Sequence, residues 1–290
     1  MTGATHLTSG VLAAVLGAAV LHALWNSLVK SASDQFLSSA VVAIWSGVVG
    51  LVAAFVLPWP AGAALPFIVA SSLIHIVYFM LVGRLYRGAD LSVAYPIMRG
   101  VAPLIAAIFA FAALGEAPGP IASLGVAALV AGVLTMSASG LTHGRINRAT
   151  LVVALANSVV IAVYTVIDGQ GARLSGAGAP FAVAYNSWSH MLAALAFLPI
   201  VVCLRGRAAV AAFTQGGGRG FAGGLAAFIS YAIAIWAMTR APIAAVAALR
   251  ETSVVFAAII GVVALHEPFE TRRGLAALVI LAGIVFLRLG

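Results

Sequence analysis

Residues 99–132 read RGVAPLIAAIFAFAALGEAPGPIASLGVAALVAG, and residues 250–283 read RETSVVFAAIIGVVALHEPFETRRGLAALVILAG. At a constant offset of 151 positions, Arg99, Ala106, Ala107, Ile108, Ala113, Leu114, Glu116, Leu124, Ala131 and Gly132 recur as Arg250, Ala257, Ala258, Ile259, Ala264, Leu265, Glu267, Leu275, Ala282 and Gly283. The register holds without a gap across two apolar runs and the acidic turn between them. A membrane chain made of two copies of one unit points to a secondary transporter, with its binding site where the copies meet.

Composition sets the solvent. Hydrophobic residues make up 63% of the 290 and charged residues 8%, whereas soluble domains are about 25% charged. So few charges cannot cover a water-exposed surface, and no polar stretch is long enough for a separate soluble domain. The single cysteine, Cys203, excludes an intrachain disulfide and a cysteine-based metal site. The excess of 15 basic over 7 acidic residues does not point to nucleic acid, because the charges sit singly in short loops. Their expected role is to orient the chain in the bilayer. No cleavable signal peptide is expected, since the first apolar run has no basic flank and continues into Trp25 and Asn26.

A spanning helix needs about 20 mostly apolar residues. Runs of that kind lie near 9–29, 36–57, 64–83, 90–114, 119–140, 149–168, 178–203, 220–239, 242–265 and 271–289. The fold class expected is therefore all-α, with ten transmembrane helices. Two units of five follow, over 1–145 and 146–290. Because five is odd, the second unit must enter the bilayer from the opposite face, which makes the repeats inverted. Lys30, Arg84, Arg87, Arg145, Arg148, Arg205, Arg207, Arg219, Arg272 and Arg273 fall in loops opposite the termini, against Arg173, Arg240 and Arg288 on their side. By the positive-inside rule both termini lie outside. Small residues four apart, such as Ala128/Gly132 and Val279/Gly283, share a helix face and let helices approach closely.

Polar side chains inside hydrocarbon are costly and face a cavity or a partner. At spacings of three and four, His22, Trp25 and Asn26 share one helix face, as do His75 and Tyr78, and Asn186 and His190. Tyr95 precedes Arg99 by one turn; Tyr164 lies on a stripe with Asn157 and Asp168; Tyr231 and Trp236 sit in the eighth span. Together these are the candidates for an aromatic, polar, substrate-binding cavity. The alternative for such residues is structural, as interfacial anchors or ties between helices; Trp59 and Tyr86 read that way.

Arg99 and Arg250 occupy equivalent places, each near half depth. A guanidinium stays charged, so each must be paired or wet. Either could hold a substrate carboxylate bidentately. Glu251 beside Arg250 offers an internal pair, whereas Gly100 follows Arg99, which favours Arg99 for the carboxylate contact. Glu251 is the acidic residue set well inside a span and is the candidate for carrying a coupling proton; Asp168 reads as lying near a span end. No catalytic motif occurs: HExxH, a P-loop and GxSxG are all lacking. The six histidines are scattered, so neither a metal site nor a cofactor is expected, and the chain is not expected to be an enzyme.

The chain resembles the drug/metabolite transporter superfamily, and within it the EamA-type permeases. The resemblance rests on His22-Ala23-Leu24-Trp25-Asn26, on Ala94-Tyr95-Pro96 leading to Leu114-Gly115-Glu116, and on Leu249-Arg250-Glu251-Thr252-Ser253 leading to Leu265-His266-Glu267-Pro268. His266 stands where glycine is common in the family. What the resemblance implies is two inverted five-helix halves, a central cavity, alternating access and cytoplasmic termini, the last opposite to the charge count. In character the chain is similar to bacterial aromatic amino-acid exporters. The expectation is an exporter of small metabolites, amino acids including aromatic ones, acting as a monomer in the bacterial cytoplasmic (inner) membrane. Its partners would be the small-molecule substrate and the lipid bilayer. Another solute (a drug, sugar or nucleotide-type metabolite) is the alternative, and a non-transport membrane protein a third.

Overall fold

A computed structural model of the chain describes residues 7–88, 91–116, 118–138, 148–265 and 271–290; within its helices the side chains of 83, 84 and 86–97, among others, lie outside what is described. The regular structure of the described residues is helical, with no strand among them. In chain order the helices are α1 (Ser9–Lys30), α2 (Gln35–Val56), α3 (Leu65–Gly88), α4 (Leu91–Leu114), α5 (Pro120–Ala138), α6 (Arg148–Leu174), α7 (Ala179–Arg205), α8 (Arg207–Gln215), α9 (Gly217–Met238), α10 (Ile243–Arg250), α11 (Ser253–Leu265) and α12 (Thr271–Leu289). Helices satisfy their own backbone groups, which is what a lipid environment demands.

Seven stretches of these helices are long and apolar enough to cross a membrane, and Met98–Leu114, Pro120–Thr135 and Gly274–Leu289 are shorter apolar helices. Large apolar side chains point outward, Phe55 being 83% and Val263 71% exposed. In water this would be a liability; in lipid it is the solvated surface. Polar caps start the first helices, where Thr8 Oγ1 accepts from Val11 N (3.3 Å) and Asp34 Oδ1 from Leu37 N (3.0 Å).

The packing has a regular pattern. Helix α1 packs on α9 and α3 on α6; α4 packs on α6, and α1 on both α10 and α11. Helix α2 packs on α9 and α3 on α7. Two further contacts pair α2 with α7 and α5 with α12. Exchanging α1 with α6, α2 with α7, α3 with α9, α4 with α10–α11, and α5 with α12 returns these pairs, whereas the packing of α4 on α5 has no comparable counterpart between α10–α11 and α12 among the described residues. The α5–α12 contact depends on missing side chains. A Cβ on Gly125 would lie 2.7 Å from Leu287 N and 2.9 Å from Gly283 O, and one on Gly283 would lie 2.9 Å from Leu129 N.

Three sequence readings need correction. The run 242–265 is not one helix: Glu251 and Thr252 form a turn between α10 and α11. Their amides reach only three residues back, to Ala248 and Leu249 (both 3.1 Å), and Thr252 Oγ1 also bonds Leu249 O (2.7 Å). Here a hydroxyl competes for a helix carbonyl, whereas α4 runs unbroken through Arg99. Second, the sixth helix continues past 168 to Leu174, so Arg173 is helical and Asp168 is interior. Third, the short helix α8 between α7 and α9 was not expected.

Candidate functional site

A cavity of about 100 Å³ lies among α1, α2, α3, α4, α6, α7, α9 and α10. Helix α1 presents His22 and Trp25. Trp25 Nε1–H donates to His22 Nδ1 (3.3 Å). That ring nitrogen therefore accepts, so in the neutral imidazole Nε2 carries the hydrogen. His22 Nε2 is buried and has no hydrogen-bond partner among the described residues. Asn26, predicted to join this group, instead donates to His22 O (2.7 Å) and does not line the cavity. It turns back onto its own helix because a carbonyl four residues earlier lies within reach of its amide.

Two further histidines have the opposite tautomer. His75 Nδ1 contacts Ser71 O at 2.9 Å and His190 Nδ1 contacts Asn186 O at 3.0 Å. A carbonyl only accepts, so each Nδ1 holds a hydrogen, and in the neutral imidazole Nε2 is then the acceptor. The His75 ring lies 4.4 Å from Tyr164 at 32°, and 6.2 Å from His190. Tyr231 sits 5.5 Å from His190 and 6.3 Å from Tyr164. Tyr78 closes the group 6.0 Å from Tyr164. The cavity is thus walled by aromatic faces and edged by hydrogen-bonding atoms.

The two arginines divide differently from the sequence expectation. Arg99 Nη2 meets Glu251 Oε1 at 2.9 Å, with side chains 3% and 7% exposed. Glu251 forms its ion pair with Arg99 and not with its neighbour Arg250, although all three side chains border one small cavity. Arg250 instead lies with Cζ 4.7 Å over the Tyr231 ring and makes no carboxylate ion pair among the described residues. Both arginines line the cavity. The acid adjacent in sequence therefore neutralises Arg99, the arginine expected to be open to a substrate carboxylate.

Of the other candidates, His22, Trp25, His75, Tyr78, Tyr164, His190 and Tyr231 line the cavity. Asn186 does not; it is buried and its Nδ2 donates to Phe228 O at 3.4 Å, tying α7 to α9. Trp236 does not either, and lies near Arg240 (5.8 Å) at the end of α9. The Tyr95 side chain is outside the described residues. Sequence reasoning missed Ser39, Val42, Ala43 and Ser46 of α2 and Phe197 of α7. The α2 set has spacings of three, four and seven, a legible single face, but its small side chains carry no obvious chemistry.

The lining residues lie toward one end of the bundle, the end where Arg205 Nη2 meets Asp34 Oδ2 at 3.2 Å. At the other end, polar and aromatic contacts tie the helices together. There Glu116 pairs with Arg173, and Glu116 Oε2 also accepts from Ile243 N (3.1 Å) at the start of α10. Arg173 Nε donates to Met238 O (2.8 Å), and Ala61 N donates to Ser175 O (2.9 Å). Trp59 packs on Trp188 at 4.8 Å.

Against this geometry, residues 148–289 match the EamA-like transporter family. The C-terminal half is an EamA-like transporter domain. That domain begins at α6 and ends in α12, so it supplies Tyr164, His190, Tyr231, Arg250 and Glu251. The matched family is one of membrane transporters, in keeping with the apolar helices of a multi-pass membrane protein. A solved structure described as "Crystal structure of protein" superposes with a TM-score of 0.73 at 18% identity, over 96% of this chain and 95% of that one. At that identity the likeness concerns the fold alone. No curated protein matches the chain in sequence.

Proposed function

We propose that the protein is a secondary transporter that exports small metabolites, amino acids including aromatic ones, by alternating access through the cavity. It acts as a monomer in the bacterial cytoplasmic membrane. The observation that carries the substrate class is Arg250: a buried guanidinium on the cavity wall, stacked on Tyr231 and without a carboxylate ion pair among the described residues. A substrate carboxylate supplies the missing counter-charge, and the rings of Tyr78, Tyr164 and Trp25 offer apolar faces to a side chain. His22 Nε2–H adds a donor beside them. A cavity of about 100 Å³ suits a small solute, since sites for drug-sized ligands run to about 300–1,000 Å³. A cation would need a carboxylate on the cavity wall; none of the described carboxylates lines the cavity, and Glu251 is committed to Arg99.

The same proposal includes ten crossings in two inverted halves. Its supports are the 151-residue repeat of the sequence, the seven long and three shorter apolar stretches, one of them running across the α10–α11 turn, and several helix pairs that survive exchange of the halves. The break between α10 and α11 adds to it, because interrupted helices frame substrate sites in such transporters. The test is flux from liposomes preloaded with labelled phenylalanine or threonine. Protein-dependent efflux is expected, and its absence for every amino acid refutes the substrate class.

A further inference from the structure

Among the described residues the carboxylates are Asp34, Glu116, Asp168 and Glu251. Three of them meet an arginine: Asp34 meets Arg205, Glu116 meets Arg173 and Glu251 meets Arg99. Asp168 meets no cation in this set. It is 0% exposed in the interior of α6. Its Oδ1 accepts from the Tyr185 hydroxyl of α7 at 2.9 Å, and its Oδ2 from the Tyr231 hydroxyl of α9. Tyr231 also lines the cavity. The groups facing Tyr231 are His75 from α3 at 6.0 Å, Tyr164 from α6, His190 from α7, and Arg250 from α10.

An ionised carboxylate buried in a membrane without a counter-ion costs far more than its hydrogen-bonded neutral form. The two states also differ in hydrogen bonding. A carboxylate only accepts, and so takes both phenol hydroxyls as donors; a carboxylic acid must donate one hydrogen itself. One tyrosine then has to turn and accept. Tyr231 has the cavity beside it, whereas Tyr185 is fully buried. Protonation would thus weaken the bond by which α6 holds α9 beside the cavity.

We propose that Asp168, with Tyr185 and Tyr231, is a proton-binding site on the cavity floor that couples proton movement to transport. A proton from cavity water reaches the Tyr231 oxygen as that hydroxyl passes its own proton to Asp168 Oδ2. Tyr231 ends neutral and Asp168 becomes a carboxylic acid. Release reverses the two transfers. This role rests on the transport reading above, but the binding of a proton does not.

Two measurements separate them. Infrared titration of the purified protein reads the carboxylic-acid stretch directly. The expected result is a band that fades as pH rises and is missing from Asp168→Asn. If wild-type and variant spectra are alike at every pH, no proton binds there and the proposal is overturned, whatever the protein transports. In liposomes, a pH gradient is expected to change wild-type amino-acid flux severalfold and to leave Asp168→Asn flux unchanged. Equal gradient responses in the two proteins overturn the coupling. A wild type with no flux for any amino acid defeats the substrate reading and leaves the infrared result to decide the site. If Asp168→Asn fails to insert, Tyr231→Phe keeps the carboxyl group and removes one of its hydrogen bonds. An unshifted infrared band in that variant also counts against the site.

Discussion

Replacing Glu251 with methionine removes the carboxylate that neutralises Arg99 and leaves a guanidinium 3% exposed inside the bundle. At 2.9 Å, Coulomb's law with an effective dielectric of about 20 gives an attraction of roughly 5–6 kcal/mol before desolvation is subtracted. Breaking a buried pair from one side typically costs about 3–5 kcal/mol, because the remaining charge keeps its desolvation penalty. For a chain of this size that is a fall in melting temperature of roughly 6–10 °C. Arg99→Met should cost a similar amount, since Glu251 Oε2 already has no hydrogen-bond partner among the described residues. The double variant should recover most of the loss, because two apolar side chains replace the whole pair. The assay is thermal unfolding in detergent, followed for the wild type, both single variants and the double variant. A double variant whose loss is the sum of the two single losses would refute the reasoning, since independent residues add and a neutralised pair does not.

Arg250→Ala should lower amino-acid flux at least tenfold, with Arg250→Lys only partly active because an ammonium lacks the bidentate fork; liposome efflux measures both. His22→Ala and Trp25→Ala should each impair flux while the protein still inserts, and wild-type efflux from both would remove them from the site. Glu116→Gln weakens the hold on Arg173 and on the Ile243 amide; the expected loss is about 1–2 kcal/mol, read as a lower melting temperature. Gly283→Leu drives a side chain into the backbone at Leu129, and should cost about 1–3 kcal/mol or more, seen as lower yield of folded protein on size exclusion.

Much of the helical layout could be read from the chain, because lipid requires apolar runs of a length that composition reveals directly. The cavity was half legible. His22, His75, Tyr164 and Tyr231 stood out because a polar aromatic group in an apolar run is conspicuous. Ser39 and Ser46 did not, since a serine in a membrane helix usually bonds its own backbone, as Ser39 does to Phe36 O at 2.9 Å. Asn26 and Asn186 do not line the cavity, because helical spacing gives a face but not what that face meets. The pairing of Glu251 with Arg99 was hidden for a related reason. The two lie 152 positions apart, and the turn at Glu251 and Thr252 contains no proline or glycine to announce it. Asp168 was underrated because the apolar run stops near it although the helix continues to Leu174.

The claim on which the mechanism depends is that the two halves face opposite ways across one bilayer. With Cys203 replaced by serine, Gly119→Cys and Thr271→Cys place single thiols at the starts of α5 and α12. Labelling with a membrane-impermeant maleimide, in intact and in permeabilised cells, reads the side of each. Opposed halves predict that one thiol reacts in intact cells and the other only after permeabilisation. Two thiols that react from the same side would contradict it.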